Sequence, residues 1–189
     1  TPKEFEQRFF YGHFSNELAM SGPCQNSGYG PTSSRLFYEE YVCMMNALMP
    51  QMSQDQRKRM IAMFLVHAYI AAGEEYMPMK HMLSGHPNFL SDVKSVPAFA
   101  SYLFSAHPKA SEWADMFEKY IDLNTQHHVR PDVKAWNAIG GRWTENISTY
   151  LWANLRPSLR ANYLMQHYLD GKKRMANKEM AMVGSFVLN

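Results

Sequence analysis

The chain has 189 residues, 46% hydrophobic and 19% charged, a balance that suits one folded unit and excludes a long disordered tail. A net charge of +2 excludes the strong basic field of a nucleic-acid binder, and the eight His residues do not gather into a basic stripe. The longest apolar stretch, Ile61 to Ala72, is interrupted by His67 and falls short of the roughly 18 residues that a membrane span needs.

Taken in chain order, the first expected helix covers about 3–20. The segment 21–34 that follows is rich in turn formers and long for a helix connection, which marks it as a candidate functional loop. Phe37, Tyr41, Met44, Met45 and Leu48 recur at helical spacing and predict a helix ending near Pro50. Ser53 and Gln56 form a capping box, opening a helix whose apolar stripe is Met60, Phe64, His67, Ala68 and Ala71 and which Gly73 stops. After the polar loop 84–88, helices are expected over about 92–104 and then from Ser111, the latter with the stripe Trp113, Met116, Phe117, Tyr120 and Ile121. Ile147, Tyr150 and Leu151 begin a further helix that Pro157 breaks, with Leu159 and Tyr163 resuming its stripe. A last helix is expected over about 171–183.

No segment alternates with period two, so no strands are expected. The fold class is all-α, and helical hairpins joined by polar loops suit a toroid or solenoid. The 15 Met side chains read as adaptable core filling. Cys24 and Cys43 are compatible with either a disulfide or two free thiols. Thr1-Pro2-Lys3-Glu4 reads as a processed or truncated start.

Three stretches carry polar groups suited to chemistry. His81 to Phe89 places His86 and Asn88 near a helix start, where imidazole exchanges protons near neutrality and a carboxamide donates to an anionic oxygen without adding charge. The structural alternative is a polar turn with Asn88 capping the next helix. His127-His128 are adjacent and so do not share a helical face, and no metal-binding spacing occurs, so neither a metal site nor a cofactor is expected. Trp136 to Tyr150 gathers Arg142, Trp143, Glu145, Asn146 and Tyr150 after the Gly140-Gly141 pair. Aromatic faces beside amide, carboxylate and guanidinium groups are what a sugar subsite uses. The structural alternative is a capped helix with Trp143 and Trp152 in the core. On the subsite reading, Tyr29 and Trp143 should be partly exposed beside the polar loops while Trp113 and Phe117 are buried.

The line His86-Pro87-Asn88-Phe89-Leu90-Ser91-Asp92-Val93-Lys94-Ser95-Val96-Pro97, with Gly141-Arg142-Trp143-Thr144-Glu145-Asn146 and Tyr150 further on, resembles the helical toroid of heparinase II/III-type polysaccharide lyases over roughly residues 60–165. In this chain the order His86-Pro87-Asn88 stands where the family has Asn-His, and Glu145 with Tyr150 has the family's Glu-x-x-x-x-Tyr spacing. The resemblance implies an (α/α) toroid and β-elimination on a uronic-acid-containing glycan, with Asn88, His86 and Tyr150 catalytic. It also implies an anionic polysaccharide or oligosaccharide as ligand and a periplasmic or secreted setting; on the subsite reading, Arg142, Trp143, Glu145, Asn146 and Tyr29 contact that ligand. Asn88, with Arg142, would neutralise the uronate carboxylate, His86 or Tyr150 would take the proton alpha to it, and Tyr150 would return a proton to the leaving oxygen.

A whole toroid of this type requires more helices than 189 residues supply, and family members add a β-sandwich region with a further catalytic His. The expectation is therefore a single helical domain over 1–189 that is part of a larger protein and has little or no activity by itself. A non-catalytic glycan-binding or scaffold domain is the alternative. A glycoside hydrolase would require two carboxylates across a cleft. Glu145 is one candidate, and Asp92 and Glu74/Glu75 lack a distinctive setting in the sequence.

Overall fold

Ser53 and Gln56 cap each other: the Ser53 N–H donates to Gln56 Oε1 at 2.9 Å, and the Gln56 N–H donates to Ser53 Oγ at 3.2 Å. This reciprocal cap opens α1 (Gln54–Ala72), as the sequence predicted, just after a short 3-10 turn at Met49–Gln51 that contains Pro50. The computed structural model describes residues 47–73, 87–130, 132, 140–144 and 146–188. The expected helix over 3–20, most of the one ending near Pro50, and the loops at 21–34 and 84–86 lie outside those residues.

Among the described residues the chain is mostly helical. After α1 come α2 (Pro87–Leu103), α3 (Ala110–His128), α4 (Trp152–Met165) and α5 (Lys178–Leu188). A π-helical turn at Ile147–Leu151 leads into α4, and another at Gln166–Asp170 follows it. The expected stripe of α1 is buried throughout, and Trp113, Phe117, Tyr120 and Ile121 of α3 are buried with it. No described helix is long and apolar enough to cross a membrane.

Four expectations are corrected. First, a two-residue strand pair exists: β1 (Val129–Arg130) runs antiparallel to β2 (Arg142–Trp143), with Val129 opposite Trp143 and Arg130 opposite Arg142. Two residues are too few to leave a period-two signal in the sequence. Second, Pro157 does not break α4. It has no N–H for the carbonyl one turn back, yet the helix passes through it, and the neighbouring Asn154 carbonyl receives the Ser91 hydroxyl from α2 at 2.5 Å. Third, α2 starts earlier than the expected 92, at Pro87, a residue suited to the first helical position because its missing N–H would find no partner there.

Fourth, the last helix starts later than the expected 171. Gly171, with φ of +75°, terminates the second π turn in the left-handed conformation that glycine adopts without a Cβ clash. The helix waits for Asn177, whose Oδ1 accepts the Met180 N–H at 2.9 Å.

Packing around α2 explains the arrangement. Every residue from Leu90 to Ser101 is buried, including Ser91, Asp92, Lys94, Ser95 and Ser101, so α2 is covered on all sides. Its polar groups are met by neighbouring helices. Lys94 Nζ donates to the carbonyls of Ala71 and Gly73 at 3.0 and 3.2 Å, placing a cation where the C-terminus of α1 is electronegative.

Candidate functional site

Cross-helix pairs fix the relative directions of the helices next to the motif residues. Ser91 Oγ meets the Asn154 carbonyl and lies 2.7 Å from Ser158 Oγ, and toward the other end of the same two segments Tyr102 stacks on Tyr168 with centroids 6.0 Å apart. Residue numbers rise together along both, so α2 and α4 with its trailing turn run parallel. Across α3 the numbers run oppositely: Asn124 meets Asn154, and Tyr120 meets Ser158. Thus α3 lies antiparallel to α4, and its C-terminal end reaches the end of the bundle where α2 and α4 begin.

That end holds the described candidates. Asn88 sits in the first turn of α2, half-buried and one turn before Ser91. Because the helix begins at Pro87, Asn88 is the second helical residue and not the cap preceding it. Tyr150 lies one turn before Asn154, in the π turn, and is 47% exposed. Each of the two lies about one turn before the residue that joins the two parallel segments, Ser91 and Asn154. His86, Glu145 and Tyr29 lie outside the described residues.

The β1–β2 pair anchors the rest. The Gly141 N–H donates to the Arg130 carbonyl at 2.9 Å, and the Thr144 N–H donates to the His128 carbonyl at 3.0 Å, tying this loop to the end of α3. Gly140 and Gly141 both have positive φ, 76° and 96°, and a Cβ on Gly141 would collide with the backbone carbonyl of Met182 in α5. The glycine pair therefore serves a turn and a close approach together.

Within β2 the pleat turns Arg142 outward and Trp143 inward. Trp143 is 0% exposed, packed against His128 with ring centroids 5.3 Å apart, and its indole N–H has no acceptor among the described residues. This corrects the expectation of a partly exposed Trp143: adjacent strand residues face opposite sides, and burial of the large indole outweighs exposure. A sugar cannot stack on it. His128 Nδ1 lies 2.9 Å from Thr144 Oγ1, which holds the ring against the indole.

Asn146 caps the π turn. Its Oδ1 accepts from the Ser148 N–H at 2.8 Å and the Ser148 hydroxyl at 2.6 Å, while its backbone carbonyl accepts from the N–H groups of Tyr150 and Leu151 at 2.9 and 3.1 Å. Its carboxamide oxygen is thus engaged in shaping the turn that carries Tyr150. π turns recur at functional positions because they displace a side chain from the regular helical path.

Sequence reasoning missed the buried polar seam behind this end. Asp92 is only 2% exposed, in contrast to its undistinguished appearance in the sequence. Tyr120 is fully buried, and burial pushes its phenol well above the usual range; the Asp92 carboxylate pushes the same way, against the opposing hydrogen bonds from Ser158, Ser91 and Asn154. The available signal was Asn154, Ser158, Ala161 and Met165 at core spacing, all of them buried. Of the stripe read from Ile147, Tyr150, Leu151, Leu159 and Tyr163, Leu151 is buried and Ile147 packs against the core, whereas Tyr150, Leu159 and Tyr163 are exposed, and so is Trp152.

Among the described residues no three His, Cys, Asp or Glu side chains gather as a metal site. A hollow of about 450 Å³ lies along α3, lined by Asp115, Glu118, Lys119, Asp122 and Lys172 among others, and none of the candidate site residues lines it. The chain matches no family model, no curated protein and no solved structure.

Proposed function

We propose that this chain is the helical part of a polysaccharide lyase that cleaves a uronic-acid-containing glycan by β-elimination, with α2 and α4 as inner helices of an (α/α) toroid. What supports the reading is that α2, which begins near Asn88, and the helix entered by the turn carrying Tyr150 run parallel, and that Arg142 is exposed. The two helix N-termini therefore point the same way, and their partial positive charge favours an anionic sugar.

In this reading the carboxamide of Asn88 and the guanidinium of Arg142 bind the uronate carboxylate and take up the charge that develops as its alpha proton leaves. The proton passes to His86 or to Tyr150 acting as base. The electron pair forms a carbon–carbon double bond, and the glycosidic carbon–oxygen bond breaks with its pair going to oxygen. Tyr150 supplies the proton that the leaving oxygen takes up. Asn146 holds the turn, and Trp143 supports it from the core.

The assay is incubation of the full-length protein with polygalacturonate, alginate or heparan sulfate, reading the ultraviolet absorbance of the new double bond conjugated to the carboxylate. Tyr150→Phe should reduce product formation by roughly a hundredfold or more. Reducing ends without that absorbance would indicate hydrolysis and sink the elimination reading. Glycan binding with no product would leave the non-catalytic binding domain, which the exposed aromatic residues of α4 favour.

A further inference from the structure

Asn146-Ile147-Ser148 follows the pattern Asn-x-Ser/Thr with a residue other than Pro between, and the sequence contains that pattern once. Three residues are a weak signal until their geometry is known. In a regular helix, side chains two positions apart point away from each other, and the hydroxyl could not reach the carboxamide. The fold puts the triplet elsewhere. Asn146 is the cap before the π turn at Ile147–Leu151, with φ of −62° and ψ of 120°, an extended backbone. There the two side chains meet: the Ser148 hydroxyl donates to Asn146 Oδ1 at 2.6 Å, and the Ser148 N–H donates to the same oxygen at 2.8 Å.

Access and chemistry agree with that geometry. Asn146 is exposed, and so are Thr144, Ser148, Thr149 and Tyr150 around it, so a modifying enzyme has an open approach. The cap uses the carboxamide oxygen and leaves the nitrogen, Nδ2, out of its bonds. A substituent on Nδ2 therefore keeps both bonds to Oδ1, and the turn need not open to accept one. An amide nitrogen is a poor nucleophile because its electron pair is shared with the carbonyl. When Nδ2 loses a proton, charge gathers on Oδ1, where two donors are already aimed.

We infer that Asn146 is an N-glycosylation site, which in the folded chain takes a sugar onto Nδ2 from a diphosphate-activated donor. In the transfer, Nδ2 gives a proton to a base of the glycosyltransferase and bonds to the anomeric carbon of the sugar. The bond from that carbon to the diphosphate oxygen breaks, and its electron pair leaves with the diphosphate. Ser148 is a positioning residue: its hydroxyl and N–H hold the carboxamide and stabilise the charge on Oδ1. The site stands apart from the lyase reading, since the sugar is carried by this protein and not cleaved by it.

The test uses the folded full chain in two arms. One supplies UDP-glucose with a soluble asparagine glucosyltransferase, and the other a lipid-linked oligosaccharide with a solubilised oligosaccharyltransferase. Intact mass and peptide mapping read the product. A single sugar or oligosaccharide on Asn146 is expected in at least one arm, and the arm that succeeds identifies the donor. Asn146→Gln should carry none. Ser148→Ala should slow transfer by about tenfold or more, and Ser148→Thr, which keeps a hydroxyl, should retain most of the parental rate. Ser148→Ala still has the backbone N–H that caps the turn, so unchanged circular dichroism and Tm separate loss of the hydroxyl from loss of the fold.

No transfer in either arm, or sugar found only at another residue, overturns the proposal. Transfer that occurs only after unfolding in urea also overturns it, because the acceptor is then the open chain and not this turn. Transfer that Ser148→Ala leaves at the parental rate does the same, since the hydroxyl contact would then be a structural cap alone.

Discussion

Asn124 and Asn154 hold α3 and α4 together through a carboxamide pair buried at 1% and 0% exposure, in which Asn124 Nδ2 donates to Asn154 Oδ1 at 2.8 Å and a longer bond of 3.4 Å returns. Each amide satisfies the other in a place water does not reach, so removing one strands its partner. Asn154→Ala should cost about 2 kcal/mol, most of it the desolvation of an unpaired Asn124. The Asn124→Ala/Asn154→Ala double variant should cost less than the sum of the singles in urea unfolding. Strict additivity would show that the pair does not couple.

Two glycines should respond oppositely to alanine. At Gly141, positive φ and the adjacent Met182 carbonyl leave no place for a Cβ, so Gly141→Ala should destabilise by at least about 2 kcal/mol and loosen α5 from the strand pair. Gly184 lies in α5 with open space around it, and Gly184→Ala should stabilise by about 0.5–1 kcal/mol through helix propensity. Thermal unfolding of the two variants measures both signs.

Lys94 should be required for the end of α1. Its ammonium is buried on the Ala71 and Gly73 carbonyls, and Lys94→Met leaves those acceptors without it. A loss of about 3 kcal/mol is expected, with faster amide hydrogen exchange concentrated at residues 69–73. Uniform exchange across the domain would argue against a local anchoring role.

Acid sensitivity should trace in part to Asp170. Burial pushes its carboxyl upward, but hydrogen bonds from Arg174 and the Lys172 N–H, together with both cationic charges, outweigh that and hold it below the usual carboxylate value. A folded value below the unfolded one gives stability that is complete above about pH 4 and disappears as pH falls through the lowered folded value. Asp170→Asn should therefore show a smaller drop in Tm between neutral and strongly acidic solution than the parent. The Arg174 side chain, 1% exposed and 3.7 Å from Glu118, makes this pairing more than a surface contact. Equal acid slopes in the two proteins would contradict it.

Local rules written along a few residues were legible in the sequence. The Ser53–Gln56 cap, the stop at Gly73 and the buried stripes of α1 and α3 each depend on neighbours within two or three turns, so spacing alone specifies them. The Gly140-Gly141 pair was also legible as a tight turn, because few other residues adopt its backbone angles.

What only tertiary structure decided was which side of each element faces inward when polar residues compete for the core. Spacing assigned Leu159 and Tyr163 to the interior of α4, yet Asn154 and Ser158 took that side because Asn124, Ser91 and Tyr120 arrive from other helices to satisfy them. In the same way Trp143 is buried by a strand pair joining Val129 to a partner far along the chain, and α2 encloses Asp92 and Lys94 because three helices surround it. The cost of burying a polar group depends on partners distant in sequence, and no pattern within one helix records whether they will be there.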